Sequence, residues 1–285
     1  MIEAAKSLLR RVRASLWSMD PEVIRLRKEL ATALDRRTNP SDDFAVLASL
    51  NSPLRDRVYA DFSDREKSVY RRSISVSSAE AVVSLIRAVE YLVHRPVPGA
   101  FVECGVYKGG NIEVMISALQ HLKVDDRDIY LYDTFAGMPQ PGALDDEGLD
   151  GHPLRLSWEA HRTDTDGRAG SNWMRASMEV VQRRLDRLRY PKRRLHYVKG
   201  MVEETIPKTM PEQIALLRLD TDFYSSTKHE LNYLYPRLSP GGILIVDDYG
   251  SIPGARLAVD EYATENHAHW FMNRVDAHVR LIVKP

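Results

Sequence analysis

The sequence has a single cysteine, Cys104, among 285 residues. One thiol cannot form an intramolecular disulfide, and it excludes a zinc site made of several cysteines. Because this cysteine usage is typical of reducing compartments, we expect a cytoplasmic protein. Cys104 lies in an apolar segment, where a buried cysteine behaves as a small apolar side chain.

The chain also lacks net charge, since 40 basic residues balance 40 acidic ones. No field of the whole molecule attracts nucleic acid or anionic lipid, so we expect neither as a partner. No apolar run approaches the length of a membrane span, and the N-terminus lacks the apolar core of a signal peptide. A hydrophobic content of 44% is enough for the substantial core of a globular protein.

Residues 1–72 differ from the rest in their pattern of apolar and charged residues and are interpreted as an N-terminal helical arm or lid. Apolar residues at alternating spacings of three and four, with arginines among them, predict a short basic amphipathic helix: Ile2, Ala5, Leu9, Val12 and Leu16. This helix is too short to hold a coiled coil alone. We expect it to dock on another subunit, which favours a homo-oligomer, or on the body of its own subunit. Binding to a membrane surface is the alternative.

Residues 73–285 alternate between predicted strands and helices, which is typical of a doubly wound α/β domain. Ser77 and Glu80 form the pattern of a capping box for a helix that ends at His94. Strands are predicted at 101–104, 129–133, 195–200, 214–220 and 243–248, the last of these after a glycine turn at 239–242, and an antiparallel hairpin closes the sheet near 270–283. The long segment 134–172 has little periodicity and is interpreted as a substrate lid, with a plain surface insertion as the alternative.

The first strand breaks into a glycine turn with the pattern Glu103-x-Gly105-x-x-x-Gly109-Gly110. The gap between its glycines is longer than in the G-x-G-x-x-G fingerprint of dinucleotide sites. Glu103 repels a phosphate but accepts a hydrogen bond from an ammonium group, and Asp133 ends the next strand where a ribose-binding carboxylate belongs. The turn therefore favours S-adenosylmethionine over NAD, unless its glycines only close a tight connection.

Four aspartates follow two further strands, and parallel strand ends meet at one edge of a sheet: Asp220, Asp222, Asp247 and Asp248. Gathered like charges repel one another unless a cation neutralises them. Ligands that offer only oxygen favour a hard ion such as Mg²⁺, Mn²⁺ or Ca²⁺. The alternative is that each aspartate caps a helix or turn after its strand.

Four ordered motifs lie within residues 70–265: ECGVYKGG at 103–110, YDTFAGMP at 132–139, LRLDTDFYSST at 217–227, and LYPRLSPGG at 234–242 followed by VDDY at 246–249. Together they resemble the macrocin O-methyltransferase family, whose members are metal-dependent enzymes that methylate sugar hydroxyls of natural products. The resemblance implies a class I methyltransferase-like, Rossmann-like fold with a mostly parallel seven-stranded sheet.

The resemblance also implies roles for individual residues. S-adenosylmethionine would be held by Ser75, Glu103, Gly105, Tyr107, Gly109, Gly110, Asn111, Asp133, Thr134, Met201 and Val202. Mg²⁺ would be held by Asp220, Asp247 and Asp248, and Asp222 would be the general base that activates a glycoside acceptor. Residues 1–60 and 142–166 match no segment of the family, so we expect them to select this small-molecule acceptor.

Three other functions stay open. A catechol-type O-methyltransferase shares the need for two adjacent hydroxyls on one cation. An NAD-dependent sugar oxidoreductase needs a tighter glycine fingerprint and usually a Tyr-x-x-x-Lys pair, and a methyltransferase-like scaffold needs no cofactor. Histidines that offer an alternative base or acceptor contact, although each is more often an ordinary core or surface residue, are His152, His161, His267, His269 and His278.

Overall fold

The computed structural model describes residues 59–145, 153–165 and 168–285. The predicted N-terminal helix lies outside these ranges, and the boundary between 1–72 and 73–285 stays a prediction. The described compact unit is Asp61–Pro285. Its helices and strands are α1 (Asp64–Arg72), α2 (Ala79–His94), β1 (Ala100–Cys104), α3 (Gly110–His121), β2 (Ile129–Asp133), α4 (Leu154–Ala160), β3 (Arg162–Thr165), β4 (Arg168–Ser171), α5 (Met178–Asp186), β5 (Leu195–Lys199), α6 (Val202–Thr205), β6 (Ile214–Leu219), α7 (Tyr224–Leu234), β7 (Leu238–Val246), α8 (Pro253–Glu265), β8 (Met272–Arg274) and β9 (Arg280–Val283).

Seven strands form one sheet in the order β5-β2-β1-β6-β7-β9-β8, and β3 and β4 form a separate hairpin. The pairs from β5 to β7 are parallel, whereas β9 runs antiparallel to both β7 and β8. The predicted doubly wound, mostly parallel seven-stranded sheet is therefore confirmed. The chain leaves β1 for β2 on one side and returns to β6 on the other, which places a crevice for ligands beyond the carboxyl ends of β1 and β6.

The central strands are buried on both faces, as their continuous apolar sequences predict. Successive residues point to opposite faces, so Phe101 packs in a core with helices α2 and α3, while Val102 packs in a second core with α7 and α8. Every residue of β1 and β6 is buried. Within the described ranges, no helix is long and apolar enough to cross a membrane.

The start of helix α2 corrects the predicted capping box by one residue. Ser78, not Ser77, is the cap, and its Oγ accepts a hydrogen bond from the backbone N–H of Ala81 at 3.0 Å. Glu80 then stands one position too early to complete a capping box. The hydroxyl of Ser77 instead accepts a hydrogen bond from Arg218 at 3.3 Å. Neighbouring serines have equal capping chemistry, and contacts outside the helix decide which of them caps it.

Two other segments also differ from the prediction. The stretch 134–172 contains helix α4 and the β3–β4 hairpin, elements too short to show a clear period in the sequence. The glycine turn predicted at 239–242 is instead part of strand β7, which begins at Leu238. A register shift between Ile214 and Leu216 of β6 accommodates the additional residues of β7 as a bulge.

We expect Ser78→Ala to lower the free energy of unfolding by about 1 kcal/mol, because it leaves an N-terminal amide of α2 without its cap. Urea unfolding followed by circular dichroism measures the change. Ser84→Ala, inside the same helix, is the matched control and should cost clearly less. An equal loss in both variants would contradict the assignment of the cap.

Candidate active site

The glycine turn after β1 is held in place by the carboxylate of Asp133 at the end of β2. Asp133 Oδ2 accepts hydrogen bonds from the backbone N–H groups of Val106 and Tyr107 at 2.8 and 2.9 Å. Tyr107 has a φ of 47° and Gly109 one of 79°, so the turn follows a left-handed path before helix α3 begins. This path and the N-terminus of α3 follow the carboxyl end of β1, where the crevice of the sheet lies.

Asp133 itself has further partners. Its Oδ1 accepts a hydrogen bond from the backbone N–H of Phe135 at 2.6 Å. Burial raises the pKa of the Asp133 carboxyl, while its hydrogen bonds to backbone amides act in the opposite direction. The structure thus shows Asp133 as the brace of the turn, and its contact with a ribose stays a prediction. The hydroxyl of Thr134 donates to the carbonyl of Gly137 at 2.7 Å and stabilises the following loop.

Glu103 on β1 is buried, with 1% of its surface exposed. Its Oε1 accepts a hydrogen bond from Arg218 Nη1 at 2.8 Å, whereas its Oε2 is buried and has no hydrogen-bond partner within the described ranges. Burial raises the pKa of Glu103 to about 7, and the positive charge of Arg218 opposes the rise. A buried acceptor without a partner is uncommon in folded proteins and fits a donor supplied by a ligand, such as an ammonium group.

Three aspartates form a cluster next to this position: Asp220, Asp222 and Asp248. Each offers one carboxylate oxygen, and these oxygens lie within 4.8 Å of one another. Asp222 has a φ of 68°, a left-handed conformation in which an aspartate is unusual but tolerated. Asp248 Oδ2 is buried, and no residue in the part of the chain that the structure describes bonds to it. The donor set is oxygen only, which fits a hard divalent cation.

Crowding of like charges perturbs the acidity of this cluster. Burial raises the pKa of Asp222 to about 7, and the charge of Asp220 adds to the rise. Burial likewise raises the pKa of Asp248 well above its ordinary range, with the charges of Asp222 and Asp247 adding to it. A dication between these oxygens would lower these pKa values again, because it favours the charged form of each carboxyl.

Asp247 lies at the same edge of the sheet but has a different partner. Its Oδ1 accepts a hydrogen bond from Arg218 Nη2 in an ion pair. The cluster of three therefore contains Asp222, which the sequence predicts as a base, and not Asp247, which it predicts as a metal ligand. Both residues lie in the bend that follows β7, where Asp247 pairs with Arg218 and Asp248 lies with Asp222 in the cluster.

Arg218 is a residue of this site that the sequence reasoning missed. Its guanidinium is 2% exposed and pairs with Glu103, Asp220 and Asp247. The sequence reasoning required a cation among the carboxylates and assigned that part to a metal alone. The signal that points to Arg218 is a single charge inside the apolar run of β6, since an arginine in a fully buried strand needs a partner.

The glycine turn and the aspartate cluster are in direct contact through their backbones. Asp220 N–H donates to the carbonyl of Cys104 at 2.8 Å. A Cβ atom at Gly105 would lie only 1.8 Å from the carbonyl oxygen of Asp220. The sequence predicts that the two features adjoin, and the structure brings them together at the crevice between β1 and β6.

Other predicted cofactor residues surround the same edge. A Cβ atom at Gly110 would lie 2.5 Å from the backbone nitrogen of Ser75, so helix α3 packs closely on the segment before α2. The amide of Asn111 satisfies its neighbours when its nitrogen donates to Ser75 Oγ and its oxygen accepts from Arg218 Nη2. Met201 and Val202 follow β5, beyond β2, where Gly200 N–H donates to the carbonyl of Asp133 at 3.0 Å.

Asp145 connects the segment after β2 to the aspartate cluster. It is 3% exposed, and its Oδ1 accepts a hydrogen bond from the backbone N–H of Tyr224 at 2.6 Å. Tyr224 is the first residue of helix α7, two positions after Asp222. Asp145 therefore caps this helix from a distant part of the chain. Of the predicted histidines, His161 interacts with the carbonyl of Ser157, and His152 lies outside the described residues.

A comparison with protein families gives a match between residues 71–281 and the model described as macrocin-O-methyltransferase (TylF). The chain belongs to the macrocin O-methyltransferase family. The prediction of an O-methyltransferase is thereby confirmed at the level of the family.

Two individual relatives and two solved structures are also similar to this chain. The chain is 31% identical over 244 residues to demethyldecarbamoylnovobiocin O-methyltransferase of Streptomyces niveus, covering 80% of the chain and 88% of that relative. It is 34% identical over 179 residues to mycinamicin III 3''-O-methyltransferase of Micromonospora griseorubida, covering 63% and 66%. The solved structure of the O-methyltransferase NovP matches with a TM-score of 0.64 and 27% identity, covering 74% of the chain and 81% of NovP. The calicheamicin methyltransferase CalS11 shares the fold, with a TM-score of 0.52 and 18% identity over 93% and 94%.

We expect Gly105→Ala to destabilise this family member by about 2 kcal/mol or more, because the new methyl group would overlap the carbonyl of Asp220 at a φ of 83°. Urea unfolding measures the loss. Gly170→Ala is the control, since its Cβ would lie 3.4 Å from the nearest atom, and it should change stability by only about 0.5 kcal/mol. A Gly105→Ala protein as stable as the wild type would show that the turn and the cluster are not in contact.

Proposed function

We propose that this protein transfers a methyl group from S-adenosylmethionine to a sugar hydroxyl of a small glycoside or glycan precursor, with the help of Mg²⁺. The observation that carries the proposal is the contact between two unsatisfied acidic positions at one sheet edge. Among the described residues, Glu103 Oε2 has no donor, and Arg218 is the counter-charge paired with Asp220 of the cluster. An ammonium group of a ligand would donate a hydrogen bond to Glu103 Oε2, and a dication would neutralise the aspartate cluster.

The proposed cofactor residues would bind different chemical parts of S-adenosylmethionine. Glu103 Oε2 would accept a hydrogen bond from the ammonium of the methionine part. The turn from Gly105 to Gly110 brings backbone amides close to this part, and Asp133 and Met201 extend the edge toward β5 for the ribose and adenine. S-adenosylmethionine supplies a methyl group that is already activated on sulfur. The protein therefore has only to bind both partners and align the acceptor oxygen.

Two roles fit the position of Asp222: metal ligand and general base. Its oxygen lies in the cluster with Asp220 and Asp248, while the family resemblance assigns it the part of general base beside a metal bound by Asp220, Asp247 and Asp248. Mg²⁺, when bound, polarises an acceptor hydroxyl and lowers its pKa. A carboxylate beside the metal position is placed to accept the proton of an acceptor hydroxyl as the methyl group is transferred. We therefore favour Asp222 as the base.

Family relatives support the sugar as the acceptor class. One relative is named as a mycinamicin III 3''-O-methyltransferase, and another, from Streptomyces olivaceus, is named for methylation at the 4' position of a rhamnosyl tetracenomycin. A screen of glycosides against catechols, read by mass spectrometry for a gain of one methyl group, separates the two acceptor classes. Methyl transfer to catechols alone would overturn the sugar assignment.

We expect Asp248→Asn to lower turnover by about a hundredfold or more, since it removes a charged oxygen from the proposed metal cluster. Affinity for S-adenosylhomocysteine, measured by calorimetry, should stay within about threefold because Glu103 is untouched. Asp125→Asn, on the exposed turn before β2, is the matched control and should keep full activity. Equal wild-type turnover with and without a chelator would refute the metal requirement.

The acidity of Glu103 predicts a pH dependence of cofactor binding. Its pKa is raised to about 7, so the carboxyl is mostly protonated below that pH and ionised above it. Because only the ionised form attracts an ammonium strongly, affinity for S-adenosylhomocysteine should rise between about pH 6 and pH 8. Calorimetry at several pH values, without added metal, measures this rise. Glu103→Gln should bind more weakly and without the rise; a parallel rise in this variant would assign the effect to another group.

A further inference from the structure

The side chain of Arg218 connects the two halves of the proposed site. Parallel pairing of β1 and β6 sets Glu103 directly beside Arg218 in register. Arg218 Nη1 donates to Glu103 and to Asp220, and Nη2 donates to Asp247. One planar group therefore touches the proposed ammonium acceptor and two carboxylates at the metal edge.

The guanidinium is fixed in its plane by neutral groups as well. Ser77 Oγ accepts a hydrogen bond from Nη2 at 3.3 Å, and Asn111, with its amide turned so that its nitrogen donates to Ser75 Oγ, places its oxygen 3.0 Å from the same nitrogen. With 2% exposure, the group has little room for another orientation. A lysine at this position would offer one point charge in place of a rigid fork and could not span three carboxylates.

The position of Arg218 decides which oxygen of Glu103 is open. Arg218 occupies Oε1, and Oε2 is left buried without a partner. Without the guanidinium, the Glu103 side chain would lose the contact that fixes its orientation and would face an acidic edge alone. The geometry of the ammonium acceptor thus depends on a residue that need not touch the ligand.

We propose, resting on the function proposed above, that Arg218 is a positioning residue that aims Glu103 Oε2 at the amino group of the cofactor and holds Asp220 and Asp247 at the metal edge. Loss of Arg218 then weakens ligands that carry the amino-acid group. Ligands that share only the adenosine and sulfur parts keep their affinity, because the proposed function places the ribose and adenine at Asp133 and toward β5, away from Glu103.

The test compares S-adenosylhomocysteine with 5'-methylthioadenosine, which lacks the amino-acid group, by calorimetry on the full chain. Arg218→Gln should weaken S-adenosylhomocysteine by about tenfold or more, the worth of a charged hydrogen bond. Arg218→Lys should weaken it several-fold, and 5'-methylthioadenosine should change by less than about twofold in both. If the glutamine variant does not fold, the lysine variant carries the comparison.

A matched control and a double variant sharpen the result. Arg194 also pairs with an aspartate, Asp128, at 2.7 Å. Both residues lie at the amino ends of their strands, whereas the proposed site lies beyond the carboxyl ends. Arg194→Lys should leave the affinity ratio of the two ligands unchanged. In Arg218→Lys combined with Glu103→Gln, the loss for S-adenosylhomocysteine should be smaller than the product of the single losses, because both act on one contact.

The outcomes separate the two proposals. Failure of the wild type to bind S-adenosylhomocysteine would overturn the proposed function. If the wild type binds both ligands and Arg218→Lys leaves their ratio unchanged, the function stands and the role of Arg218 is wrong. A parallel loss of both ligands would show that Arg218 only maintains the fold, and independent losses in the double variant would show that it does not act through Glu103.

Discussion

The ion pairs of Arg218 are the interactions on which the candidate site depends. Carboxylates from three strands meet at one edge, and burial raises the pKa of Glu103 and Asp220. One buried guanidinium shared among Glu103, Asp220 and Asp247 lowers the repulsion enough for these groups to stay together. It does not satisfy all the carboxylates at this edge, because oxygens of Glu103 and Asp248 have no partner among the residues that the structure describes. The remaining acidity is what suits the edge to cationic ligands.

The sheet topology explains why these groups meet. β1 lies between β2 and β6, so residues far apart in the chain become neighbours, as in the pair of Glu103 and Arg218. Gly105 permits the backbone of the glycine turn to touch that of Asp220. Since any side chain at Gly105 would separate them, the glycine turn and the aspartate cluster adjoin only because this residue lacks a Cβ atom.

The segment after β2 bonds to the first residue of helix α7. Asp145 reaches helix α7 and caps it beside Asp222, which ties this segment to the proposed base. Asp145 belongs to residues 142–166, the segment that the sequence motifs leave without a counterpart. Because Asp145 bonds to a residue two positions after Asp222, we continue to predict that this segment helps to distinguish acceptors.

Much of the fold and part of the site could be predicted from the sequence. Apolar runs that end in glycine or aspartate determined the central strands and the edge where ligands bind, because buried parallel strands need such runs and their carboxyl ends share one side. Four motifs determined the family. Only the tertiary structure decided that Asp222 joins Asp220 and Asp248 while Asp247 turns to Arg218, and that Ser77 serves Arg218 while Ser78 caps a helix. These choices depend on strand register and side-chain direction, which are properties of neighbouring chain segments and not of any single one.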